Sequence, residues 1–200
     1  MNRPSLSVAA SFYVILPLLL VLGVVALFLR AQQIAAGQER ANRQITDLVV
    51  VLLIIYLGIY AYLTFFYRSP YSKPITKLTP FQSYREGFEL FPFRIKRLGV
   101  ARQVFLNILL TILVGLLLPL LFAQRKHPYL LTAGIAILLA VVTEGLQYVT
   151  RLGYCETDDL INNFLGCLIG MAILAEGTKL IRWYLEKRNI TKPDNGAWHQ

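Results

Sequence analysis

Five stretches of the chain are predominantly apolar and are separated by polar or basic segments: residues 10–29, 47–67, 104–123, 129–150 and 160–183. A hydrocarbon core about 30 Å thick takes roughly 20 helical residues to cross, and each stretch is about that long. Lipid offers backbone N–H and C=O groups no partners, and the stretches lack the apolar/polar alternation of barrel strands, so helices are the expected elements. The pattern predicts an all-α integral membrane protein, a bundle of about five transmembrane helices. No separate soluble domain fits between the spans.

The segments between the runs carry their own signals. The first run looks superficially like a secretory leader, but its apolar core is long and Arg3 is its one basic flank, so a retained span is expected. Residues 30–46 form a polar connector. The longest connection, residues 68–103, holds prolines at 70, 74, 80 and 92 together with Phe81, Tyr84, Phe88, Phe91 and Phe93. Its prolines argue against a long helix, and its aromatic character places it along the headgroup boundary.

Composition agrees with the pattern: 56% of residues are hydrophobic and the mean hydropathy is +0.55. The net charge of +9 flanks apolar runs without any nucleic-acid motif, so anionic lipid is the expected partner and nucleic acid is not. Lys and Arg divide evenly between the two sides of a five-span arrangement. The tight turn "QRKHP" and the flank "KLIRWYLEKR" tilt the reading toward a cytoplasmic C-terminus, with the turn after residue 150 outside. Cys155 and Cys167 make no CxxC motif, and His127 and His199 are distant from them. No metal or other cofactor is expected. Helical rise would also hold the two sulfurs about 18 Å apart, which disfavours a disulfide.

The most informative stretch is "TEGLQYVTRLGYCETDDLINNFLG", residues 143–166, where two apolar runs meet. Glu144 and Gln147 share one helix face near the end of the fourth run, one turn from Arg151; Asp159 and Asn163 share a face of the fifth. A short connection brings such faces together in an antiparallel pair. Ionised carboxylates a turn inside lipid cost about 2.5–3.5 kcal/mol each, so Glu144, Gln147, Asp159 and Asn163 are the leading site candidates. Arg151 is the expected neutralising cation. Glu156, Asp158 and Asn162 rank second, the two acids being expected in the solvated turn, where Asp158 or Thr157 caps the fifth helix. Gly115, Gly166 and Gly170 are expected at helix contacts. A bland reading makes the cluster a structural lock. More acids than one arginine can neutralise favours a polar binding site instead. Paired carboxylates also suit acid–base catalysis, although no nucleophile signature or phosphate loop accompanies them, and Cys155 is an uncommitted thiol.

These residues resemble the signature of the VanZ-like membrane proteins. The resemblance rests on Glu144-x-x-Gln147, Arg151 and "ETDDLINNFLG", and on two further pieces in the same order: "LTPFQSYR", through Leu78, Pro80 and Phe81, and "NILLTILVGLLLP", through Asn107 and Gly115. Thr111 and Leu113 stand where the family usually has Phe and Pro, and Glu156 stands where Asp is common. The resemblance covers residues 47–176, implying a four-helix core preceded by a span and connector at 1–46 and followed by a helix end and basic tail at 177–200. It implies a multi-pass protein of the bacterial inner membrane and adds Asn107 to the candidate site. The founding member is associated with low-level resistance to teicoplanin, a glycopeptide that acts on cell-wall precursors. The leading reading of the cluster is a non-enzymatic polar pocket that engages a lipid headgroup, a lipid-linked cell-wall precursor or a lipophilic glycopeptide. The rival readings are a membrane-embedded enzyme acting on a lipid-linked substrate, and a subunit that stabilises a membrane partner or a second copy of itself.

Overall fold

A computed structural model describes residues 21–25, 27–29, 31, 43–66, 70–89, 94–123 and 125–190. Its elements are α1 (Arg43–Ala61), continued by a π-helical turn (Tyr62–Phe66), then β1 (Ile75–Lys77), α2 (Gln82–Glu89), α3 (Arg94–Leu121), α4 (Pro128–Thr150), β2 (Tyr154–Glu156) and α5 (Thr157–Ile190). Among the described residues three helical stretches are long and apolar enough to cross a membrane: Gln103–Leu121, Pro128–Thr150 and Thr157–Arg188. They coincide with the last three expected spans. The second expected span is a shorter apolar helix, Thr46–Ala61, before the π turn. Most of the first lies outside the described residues; its described part is helical, with Leu22 and Leu29 buried in the core.

The fold is organised around α3. Leu113, Val114 and Leu117 on this helix are almost fully buried, and Tyr56 of α1 donates to the Leu110 carbonyl at 2.7 Å. The tightest packing is between α3 and α5. A Cβ added to Gly115 would stand 2.0 Å from the Cys167 carbonyl oxygen, one on Gly170 2.1 Å from that of Ile112, and one on Gly166 2.2 Å from that of Ile108. Lipid cannot drive helices together hydrophobically, so close backbone approach over small residues supplies the contact. The helix α3 runs through Pro119 to end two residues later.

Residues 70–89, in the connection between the second and third expected spans, are structured, which the sequence pattern did not indicate. Here β1 pairs in parallel with β2, with Ile75 opposite Tyr154, Thr76 opposite Cys155 and Lys77 opposite Glu156. Pro128 begins α4, where its missing N–H is no loss. The same helix ends at Arg151 in the left-handed region, φ 60°. The Arg151 carbonyl accepts from the Tyr71 amide at 2.8 Å, and its guanidinium donates to the Ser72 carbonyl at 3.4 Å. Residues 70–89 therefore lie as a cap across the α4–α5 turn.

A candidate polar site at one end of the α4–α5 hairpin

The last turns of α4 and the first turns of α5 form the site, with β2 between them and the cap above. Glu144, Gln147, Glu156, Asp158, Asp159, Asn162 and Asn163 are all no more than 5% exposed. Two expectations are corrected at this point. Glu156 and Asp158 are not solvated turn acids, because the cap covers them. Arg151 is exposed, and its described hydrogen bond goes to the cap backbone rather than to a carboxylate.

Asp158 shows why the cap docks there. The amide of Gln82 donates to the Thr79 carbonyl at 3.2 Å, closing a turn with Pro80 second and Phe81 third, and Phe81 has φ 62°. Proline followed by a positive φ marks a type II turn. That turn leads into α2, whose first helical bond runs from the Arg85 amide to the Phe81 carbonyl at 3.1 Å. Phe81 thus occupies the N-cap position without a side-chain oxygen to cap with. Asp158 supplies it from α5: its two carboxylate oxygens accept from the Phe81 amide at 2.5 Å and the Ser83 amide at 2.7 Å. The expected capping role of Asp158 is real but serves α2 rather than its own helix. Thr157 likewise turns outward, donating to the Leu78 carbonyl at 3.0 Å.

The other acids are held by groups from four elements. Glu144 accepts from the Glu156 amide at 2.8 Å, which ties α4 to β2. Glu156 accepts from the Ser83 hydroxyl at 3.0 Å and lies 3.6 Å from the Lys77 ammonium, which also pairs with Glu86 at 3.0 Å. Gln103 of α3 donates to Asp159 at 3.2 and 3.3 Å and to Glu156 at 3.4 Å. Partial burial opposes the Lys77 charge, but its hydrogen bond to Glu86 and the charge of Glu156 prevail, so its pKa is raised. The Tyr84 hydroxyl donates to Asn162 Oδ1. Burial first, then the charge of Asp158, pushes the Tyr84 pKa up despite that bond, so it remains a donor at neutral pH.

Two atoms stand apart from this web. Among the described residues, Gln147 Oε1 and Asn162 Nδ2 are buried and have no hydrogen-bond partner. Asn163 is buried on the same helix face as Asp159, four residues on, while Asn107 is half-buried on α3, four residues beyond Gln103. Lys77, Ser83, Tyr84 and Gln103 escaped the sequence reading. The signal for Ser83 and Tyr84 was present in "LTPFQSYR", where a turn leads into a helix that has no capping side chain of its own. Among the described residues no three His, Cys, Asp or Glu side chains are placed to hold a metal ion.

Fold and site together define a helical membrane protein with a capped cluster of carboxylates and amides at one end of a helix hairpin. The VanZ/LLP1 family model matches residues 15–181, and the chain belongs to that family. The match takes in part of the first expected span, which the motif-bearing region 47–176 left out. No curated protein and no solved structure matches the chain.

Proposed function

We propose that the chain is a non-enzymatic protein of the bacterial inner membrane whose polar cluster engages the headgroup of a lipid, a lipid-linked cell-wall precursor or a lipophilic glycopeptide, on the outer face. The observation that carries this reading is the pair of unpartnered amide atoms, Gln147 Oε1 and Asn162 Nδ2. Each buried atom without a partner costs about 1–3 kcal/mol, and neighbouring acids such as Asp158 avoid that penalty through two backbone donors. A cluster evolved only as a lock would satisfy the amides as it satisfies Asp158. Polar groups held ready in a low-dielectric site are what a ligand's own donors and acceptors complete.

The test is growth of a strain whose teicoplanin tolerance depends on this protein. Glu144→Gln keeps an oxygen to accept from the Glu156 amide, and Asp159→Asn keeps one for Gln103, so both variants should retain the fold. Each should lose the tolerance while its membrane level, read by immunoblot, stays unchanged. Full tolerance in both variants sinks the reading.

A further inference from the structure

The two unpartnered atoms belong to side-chain amides, each of which ends in a donor and an acceptor, and that limits what can complete them. One end of the Asn162 amide is held by the Tyr84 hydroxyl, which leaves the other without a partner among the described residues. Gln147 Oε1 is likewise without one. A group that both donates and accepts meets the two amides whichever way each is turned. They lie about 4.5 Å and 7.5 Å along the helix axis from the α4–α5 turn, counted from Thr150 and Thr157. Both atoms are buried in the turns nearest the α4–α5 connection.

An ionised phosphate has acceptors alone, and an ammonium has donors alone. A hydroxyl has both, and so has each hydroxyl of a sugar ring. The surrounding charge points the same way. A phosphate would have to settle among Glu144, Glu156, Asp158 and Asp159, whereas hydroxyls donate to carboxylates without a like-charge penalty. Building on the function proposed above, we infer that the ligand is a lipid with an uncharged, hydroxyl-rich headgroup, such as a glycosyl unit, seated between Gln147 and Asn162.

The experiment uses the full chain in phosphatidylcholine nanodiscs, plain or doped with monoglucosyl diacylglycerol or phosphatidic acid. Free glucose is added to the plain discs as a further arm. The glucosyl lipid should raise the thermal midpoint by about 2–4 °C, the shift expected for a ligand contributing about 1 kcal/mol to a chain of this size. Gln147→Leu removes one unpartnered atom, so it should leave the basal midpoint equal or higher and abolish the glucosyl-lipid shift; Gln147→Met serves if the leucine variant fails to fold. A purely structural role for Gln147 predicts the reverse, a lower midpoint with the shift intact. A shift with phosphatidic acid but not the glucosyl lipid overturns the hydroxyl assignment and leaves the headgroup reading standing. An equal shift with free glucose overturns the lipid source. No shift in any arm overturns both, leaving ordered water as the occupant of the two amides.

Discussion

At the level of single residues, Asp158 and Gln147 divide the site into a part that holds structure and a part left open. Asp158 is 2% exposed, and both its oxygens are engaged by backbone donors of another element. A charge-assisted bond of this kind contributes about 1.5–3 kcal/mol, and two of them exceed the insertion cost of one carboxylate. Asp158→Ala should therefore release the cap, because the Phe81 and Ser83 amides would be left unsatisfied with nothing else to order the turn. Trypsin cleavage at Lys77 and Arg85 in the solubilised protein reports this opening. With cap opening made easier by about 1.4–2.8 kcal/mol, cleavage should quicken roughly 10- to 100-fold. Asp158→Asn, which keeps one acceptor, should fall between the alanine variant and the parent. Unchanged cleavage in the alanine variant would show that β1–β2 pairing alone holds the cap. Gln147 behaves oppositely, since its loss removes an unsatisfied group from the folded state.

Among the helices, the α3–α5 seam and the outer face of α4 predict contrasting outcomes for the same substitution. At Gly115, Gly166 and Gly170 an added methyl meets a backbone carbonyl oxygen at 2.0–2.2 Å, and backbone cannot rotate out of the way. At Gly134 it meets nothing within 4 Å. Gly166→Ala should lower stability by about 3 kcal/mol, the upper part of the overpacking range. Gly134→Ala should raise it by about 0.5–1 kcal/mol, as helix propensity directs. Unfolding midpoints in mixed micelles check both, and equal effects at the two sites would mean that the seam opens freely. The seam was legible in the sequence because small residues four apart on an apolar helix have few other uses. The long helices were legible for an equally plain reason, that lipid leaves an apolar run no alternative. The cap was not. Strands of three residues have no period to detect, and the bonds from Ser83 to Glu156 and from Tyr84 to Asn162 cross more than seventy positions. The prolines at 70, 74 and 80 kept a long helix out of residues 70–89, although residues 94–103 of the same connection already belong to α3, and proline spacing carried no sign of where the segment docks.

For the whole molecule, orientation decides which side of the membrane the site faces. The helix α5 has 34 residues, about 51 Å at helical rise, against a core about 30 Å thick. Its far end therefore projects, carrying Arg182, Lys187 and Arg188 on the same side as Arg125 and Lys126 of the α3–α4 turn. At the opposite end, Lys77 is engaged by Glu86 and Glu156, and the basic residues belong to a long connection rather than to tight helix flanks. Positive helix flanks favour the cytoplasm, so the basic end of α5 should lie inside and the site outside. Cys155, partly exposed on β2 within that site, reports the answer, with fully buried Cys167 as the internal control. Burial, reinforced by the charge of Glu144, raises the Cys155 pKa. Its thiolate is therefore scarce at neutral pH, and labelling by a membrane-impermeant maleimide should climb about tenfold per pH unit until the thiol titrates. Run at mildly alkaline pH on intact cells, the reaction should modify Cys155 and spare Cys167. Glu144→Gln should speed it at a fixed pH, because the charge that opposes the thiolate is gone. Modification of Cys155 only after permeabilisation would invert the protein in the membrane, place the polar cluster on the cytoplasmic side, and remove an extracellular glycopeptide from the ligands proposed for it.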